Sequence, residues 1–141
     1  MAAGAVALEL DRRTPADPAR GWARMEIYRI MVADEKVGEL VLRLGNDEAI
    51  RLYAGHVGYH VDPAHRGHGH AAAAVALLIP IAAAHGFDAL WITCNPDNIA
   101  SCRTVERAGG VYVETVETPV GGDLRQRGER WKRRYRLATG G

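Results

Sequence analysis

The stretch Val61-Asp62-Pro63-Ala64-His65-Arg66-Gly67-His68-Gly69-His70-Ala71 decides how the chain is read. Before it, residues 52–61 have the composition of a strand. That strand ends at Asp62-Pro63, because proline cannot donate to a ladder. After it, residues 69–84 are dense in alanine and leucine, both strong helix formers. Gly67 and Gly69 therefore fall in a strand-to-helix connection. The first turn of a helix leaves backbone N–H groups without partners. Small residues at that point let the N–H groups converge on one anion, with no Cβ in the way. Ala71 keeps the first turn small, and Arg66 adds a fixed positive charge at its mouth.

Spacing argues against two familiar phosphate sites. A P-loop needs Gly-x4-Gly-Lys-Ser/Thr, and no lysine follows here. A dinucleotide fingerprint needs a third small residue, which Ala72 could supply. It also needs an acid closing the next strand, which here ends in Thr93-Cys94.

Working outward, residues 5–10 read as a first strand and residues 11–21, with Pro15, Pro18 and Gly21, as a loop. Residues 25–32 and 37–44 alternate in the manner of a hairpin around the polar turn 33–36, and residues 45–48 close it. Pro80 lies inside the alanine-rich helix and predicts a kink, and Gly86 predicts its stop. Residues 89–93 form a short buried strand, residues 99–108 a second helix, and residues 111–116 and 131–137 two final strands around a glycine-rich loop. The helix between strands 52–61 and 89–93 is a crossover, and a right-handed one makes those strands parallel neighbours. The pattern is mixed α/β (α+β), one domain over residues 1–141.

The 141 residues, 48% hydrophobic and 25% charged, suit one soluble core. A net charge of +1 gives no bulk field toward nucleic acid or an anionic membrane. The basic run from Arg125 to Arg136 reads first as a solvated edge strand, with a phosphate-facing or acid-facing surface as the alternative. Cys94 and Cys102 make no disulfide framework and suit a reducing cytoplasm. Residues 1–8 are apolar but lack the basic flank of a signal peptide. The longest apolar run, 71–84, is too short to span a bilayer. His60, His65, His68 and His70 fit no zinc spacing, so no metal is expected.

The sequence resembles the GNAT acyltransferase superfamily. Arg66, Gly69 and Ala71 fill its Arg/Gln-x-x-Gly-x-Gly/Ala signature, entered through Val61-Asp62-Pro63. Asn95-Pro96-Asp97-Asn98-Ile99-Ala100-Ser101 resembles its Asn-x-x-Ser segment, and Glu106-Arg107-Ala108-Gly109-Gly110 its helix ending. The likeness runs from residue 25 to 116 and continues to 137. It is greatest to the branch containing ribosomal-protein N-terminal acetyltransferases.

That resemblance implies a seven-stranded sheet splayed open between the fourth and fifth strands. It implies acetyl-CoA as co-substrate and a primary amine, on a small molecule or a peptide N-terminus, as acceptor. The pyrophosphate would rest on Arg66, Gly67, His68, Gly69, His70 and Ala71. Pantetheine would pair with the backbone near His60 and Val61 and meet Asn98 and Ser101. The family's N-terminal helical pair has no room in residues 11–24, so it is reduced or absent. The acceptor side is then open or covered by a partner subunit. The final strands of such folds often pair between subunits, which raises a homodimer.

Direct transfer needs a neutral amine, a polarised carbonyl and a proton for the leaving thiolate. Val105 stands where many members keep an acidic tyrosine, and Ser101 is the substitute the resemblance suggests. His56, on the fourth strand, is the candidate base, ahead of Glu26 and Glu39. Cys94 reads first as a small buried hydrophobe. The competing reading is a CoA-binding sensor or structural module without transfer.

Overall fold

The computed structural model describes residues 5–140; the apolar start at 1–4 lies outside them. Seven strands form two sheets. β1 (Val6–Thr14), β2 (Met25–Val32), β3 (Glu35–Arg43) and β4 (Val57–Val61) pair in that order. β5 (Ala89–Cys94), β7 (Trp131–Ala138) and β6 (Val111–Glu117) make the second sheet, in the order β5-β7-β6. Helix α1 (His70–Ala84) links β4 to β5, α2 (Ile99–Arg107) links β5 to β6, and the short α3 (Asp123–Gln126) interrupts the β6–β7 loop. No helix is long and apolar enough to cross a membrane among the described residues.

The core lies between the sheets and the helices. Tyr28, Ile30, Leu40 and Leu42 from the first sheet meet Val75, Leu78 and Ala82 of α1. Leu90, Ile92, Tyr135 and Leu137 from the second meet Cys102 and Val105 of α2. Both helices show why their sequences fit. α1 buries Ala74, Val75, Leu78 and Ala82, spaced three and four residues apart. The helix runs through Pro80, which lies on its exposed side. Proline removes the N–H that would bond Ala76, and Ala76 is also exposed, so water can reach its carbonyl.

Three expectations change. β1 continues to Thr14 instead of ending at residue 10. A bulge between Leu10 and Arg12 resets the register, and the Arg13 guanidinium bonds the Glu26 carboxylate at 2.9 Å, before Pro15 stops the strand. The strand expected over 52–61 is shorter. Residues Ile50–Ala54 coil into a wide helical turn, begun by the Asp47 carboxylate accepting the Ile50 N–H at 3.0 Å. Pairing resumes only at Val57. Finally, every ladder is antiparallel, and β4 and β5 share none.

The break between β4 and β5 positions the site. At its base the two sheets touch. His56 N–H donates to the Trp91 carbonyl at 2.7 Å, and Trp91 N–H donates to His56 Nδ1 at 2.8 Å. Gly55 makes this approach possible: it sits at φ 77°, and a Cβ there would come within 3.1 Å of the Trp91 carbonyl. Toward their C-terminal ends the strands have no ladder to hold them together.

Candidate active site

β4 sets the phase of the opening. Asp62 N–H donates to Val37 O at 2.8 Å, and Arg43 N–H donates to His56 O at 2.7 Å. Main-chain groups alternate in direction along a strand. His60 therefore turns its N–H and C=O toward β3, whereas Tyr59 and Val61 present theirs to the gap. The pairing expected near His60 and Val61 is thus available at Tyr59 and Val61. The Val61 carbonyl is already engaged, accepting from Arg66 Nε at 2.8 Å.

The connection from β4 to α1 has the geometry of an anion cradle. Gly67 and Gly69 lie at φ 86° and 77°, a region other residues rarely adopt, and a Cβ at either would project into open space. Gly69 is the N-cap of α1 and offers no side-chain oxygen to the first turn. The first helical bond closes only at Ala73 N–H, to Gly69 O at 3.1 Å. The N–H groups of residues 67–72 have no acceptor among the described residues, so a phosphate would meet a row of free donors at the positive end of a helix.

Across the gap stands α2. Its N-cap is Asn98, whose Oδ1 accepts the Ser101 N–H at 3.1 Å. Asn98 lines the groove, and its side-chain amide nitrogen makes no hydrogen bond among the described residues. Between α1 and α2 runs a groove of about 630 Å³. It brings together His60, Val61, Arg66, Gly67, Gly69, His70, Ala71, Asn98 and Ser101. His68 is outside its lining; its ring stands 5.5 Å from that of His70. The buried His70 Nδ1 has no hydrogen-bond partner among the described residues.

Three residues given no role in the sequence analysis belong to the floor and wall: Tyr59, Arg103 and Arg107. Tyr59 reaches from β4 to α2, where its hydroxyl lies 2.7 Å from Ser101 Oγ and 3.3 Å from the Ser101 carbonyl. Ser101 Oγ in turn donates to Cys94 Sγ at 3.5 Å. A serine has one hydroxyl proton. With that proton on the sulfur, Tyr59 is the donor to Ser101. Burial pushes the Tyr59 hydroxyl up to about 12, so it keeps its proton at neutral pH. Burial likewise pushes the Cys94 thiol up to about 11, which makes it a poor nucleophile. Tyr59 was legible in principle: it shares parity with the inward-facing Val57 and Val61, and a buried tyrosine needs a hydroxyl partner. The wall residue Arg103 lies in no motif, and Arg107 entered only as part of the helix ending Glu106-Arg107-Ala108-Gly109-Gly110.

His56 stands elsewhere. It is fully buried at the closed base of the gap. Its Nδ1 accepts from a main-chain N–H, which can only donate, so the ring proton resides on Nε2 and faces Asn46 Oδ1 at 3.0 Å. Burial lowers its titration to about 4. A ring held this way has no lone pair for an incoming amine, and the base role expected of it loses its geometry. Glu26 is no replacement. It lies buried among Arg13, Tyr28 and His85. Glu39 pairs with Lys36 at the surface.

Residues 7–111 match the acetyltransferase (GNAT) domain. The chain belongs to the GNAT family. A comparison with curated protein sequences finds no match. Solved structures with the same fold include the microcin C7 self-immunity acetyltransferase MccE in complex with acetyl-CoA and AMP. The two share 20% identity over 81% of this chain and 61% of that one, with a TM-score of 0.61. Mycobacterium smegmatis RimJ in complex with CoA-disulfide gives 23% identity over 81% and 53%, with a TM-score of 0.62. The ribosomal L7/L12 alpha-N-protein acetyltransferase RimL gives 21% identity over 86% and 72%, with a TM-score of 0.62. The GNAT domain here thus spans about three fifths of MccE and half of RimJ. Among the described residues no helical pair stands between β1 and β2: β1 leads through a short bridge at Asp17 and Trp22 into β2.

Proposed function

We propose that this GNAT chain transfers an acetyl group from acetyl-CoA to a primary amine by direct attack in a ternary complex. The observation that carries this reading is the continuity of the groove. Its outer part offers free amides and cations for a diphosphate, and its floor holds the Ser101 hydroxyl, backed by Tyr59 and resting on the side chain of Cys94. MccE with acetyl-CoA and RimJ with a CoA disulfide support the choice of donor. RimL, which acts on a ribosomal protein, supports a peptide N-terminus as one acceptor class. Free thiols at Cys94 and Cys102 fit a cytoplasmic setting.

In this mechanism the loop 66–71 holds the diphosphate and the Tyr59 and Val61 main chain guides pantetheine into the gap. The amine enters neutral and its nitrogen bonds the thioester carbon. As the C–S bond breaks, the Ser101 hydroxyl turns from Cys94 Sγ and donates its one proton in a hydrogen bond to the departing sulfur, while Tyr59 continues to donate to Ser101 Oγ. The proton lost by nitrogen ends on the thiolate through the open groove. Much of the rate comes from holding the two reactants together. With no side-chain base at the floor, kcat/KM rises with pH through the pKa of the acceptor amine itself.

Calorimetry with acetyl-CoA, CoA and ATP, followed by thiol release across a panel of amines and peptide N-termini, tests the proposal. Acetyl-CoA binding with turnover of at least one amine is expected. A preference for ATP refutes the donor. Tight CoA binding with no turnover on any acceptor makes the chain a CoA-binding module instead.

A further inference from the structure

The groove wall facing the phosphate loop carries charge that a diphosphate does not explain. Arg103 and Arg107 of α2 both line the groove, four residues apart and so on one helix face. Neither makes an ion pair or a side-chain hydrogen bond among the described residues. Many other cations rest on a carboxylate, among them Arg13, Arg29, Arg125, Arg130, Lys132 and Arg134; what sets Arg103 and Arg107 apart is that they lack one while lining the groove together. The groove lining contains three arginines and three histidines and no aspartate or glutamate. The nearby acids Asp62 and Glu35 are each taken by a histidine, His60 at 3.3 Å and His65 at 3.5 Å.

The two walls offer different things. The loop wall offers backbone N–H groups and the positive end of α1, suited to the single charges of a diphosphate. The α2 wall offers two exposed guanidinium groups without an ion-pair partner among the described residues; the neighbouring Glu106 accepts from the Tyr135 hydroxyl instead. Arg107 also complements the negative end of its own helix, but Arg103, in mid-helix, has no such role. Paired guanidinium groups suit a dianionic phosphomonoester, which they grip through charge-assisted, often bidentate bonds. CoA carries one such group, on the 3′ position of its ribose, a few bonds from the diphosphate. Ser101, at the thiol end, lies two to six residues before these arginines on the same helix. The wall therefore runs from thiol chemistry to phosphate chemistry in the order the donor presents them.

We propose that Arg103 and Arg107 read the ribose 3′-phosphate, so that the groove selects 3′-phosphorylated donors over their dephosphorylated forms. This rests on the acetyl-CoA reading above.

The test is calorimetry of the full chain with CoA and with dephospho-CoA, on the wild type and on the double variant R103Q/R107Q. Both arginines are exposed, so the variant's thermal melt should match the wild type's and certify its fold. The wild type should bind CoA roughly 10- to 100-fold more tightly than dephospho-CoA. The double variant should bind both ligands alike, at an affinity within about twofold of the wild type's for dephospho-CoA. Equal binding of the two ligands by the wild type overturns the proposal while leaving the acetyl-CoA reading intact. So does a variant that loses both ligands equally, which assigns the arginines to the diphosphate. A wild type that binds neither ligand overturns the acetyl-CoA reading itself.

Discussion

Strand β4 is closed at one end and open at the other, and the contrast explains the site. At the closed end, His56 bonds Trp91 through both its main chain and its ring, and Gly55 lets the two sheets come into contact. Three and five residues on, the main-chain groups of Tyr59 and Val61 face a gap with no ladder, and the loop beyond them leaves its N–H groups free. Buried polar groups are normally satisfied within a fold. The closed end obeys this with direct bonds. The open end leaves the same kinds of group to a ligand. The closed end thus sets how wide the open end stands.

The comparison breaks most sharply at Gly69. Gly69→Glu places a carboxylate among the free amides and should raise the acetyl-CoA dissociation constant more than 100-fold in calorimetry. A Cβ there meets open space, so the fold should survive the strain of the left-handed backbone, about 1–2 kcal/mol. Gly69→Ala isolates that strain and should keep most of the affinity. Unchanged affinity in Gly69→Glu would move the phosphate site elsewhere.

Next comes the closed end. His56→Leu leaves the Trp91 N–H and Asn46 without partners and should cost about 2–4 kcal/mol in urea unfolding. The same residue predicts a pH dependence. Folded His56 titrates at about 4 because of burial, against about 6.5 when unfolded. Between those values the unfolded chain holds a proton that the folded chain does not, so stability rises with pH across that window and is fully present above it. The total is on the order of 3 kcal/mol. Glu26 and Glu129, whose titrations are lowered by their hydrogen-bonded partners despite burial, begin to lose their contribution as pH falls through the ordinary carboxylate range. A wild-type stability flat from pH 4.5 to 6.5, or a His56→Leu variant with the same slope, contradicts this account.

Smaller effects sharpen the open end. Ser101→Ala should lower kcat about 10- to 100-fold with the KM for acetyl-CoA within about threefold. If only KM moves, Ser101 positions pantetheine. Tyr59→Phe should lower kcat about 3- to 10-fold. Added to Ser101→Ala it should change nothing more, since Tyr59 acts through Ser101; multiplicative losses would give Tyr59 a separate role.

The cradle was legible because its signal is local. Two glycines between a strand and a helix define free amides whatever packs around them, and the Asn98-to-Ser101 segment caps its own helix. β4 was less legible. The side-chain composition of residues 52–56 reads as strand, yet the chain coils there because the Asp47 carboxylate captures the Ile50 N–H and Gly55 turns into the left-handed region. β1 overran its expected end for the opposite reason: a bulge and the Arg13–Glu26 bond, both dependent on β2, extend it into a segment that looks like loop.

The sequence by itself determined the order of the main strands and helices, the glycine loop with its free amides and the serine at the head of α2, since each depends on neighbours along the chain. Only the tertiary structure decided which side of β4 is open, that His56 braces the sheets, and that Tyr59 stands behind Ser101 from 42 residues away. It also decided that Arg103 and Arg107 share a groove with the glycine loop. A residue's chemical type is written in the chain. Its partners across a gap are set by packing and by the bonds that hold the gap's far end shut.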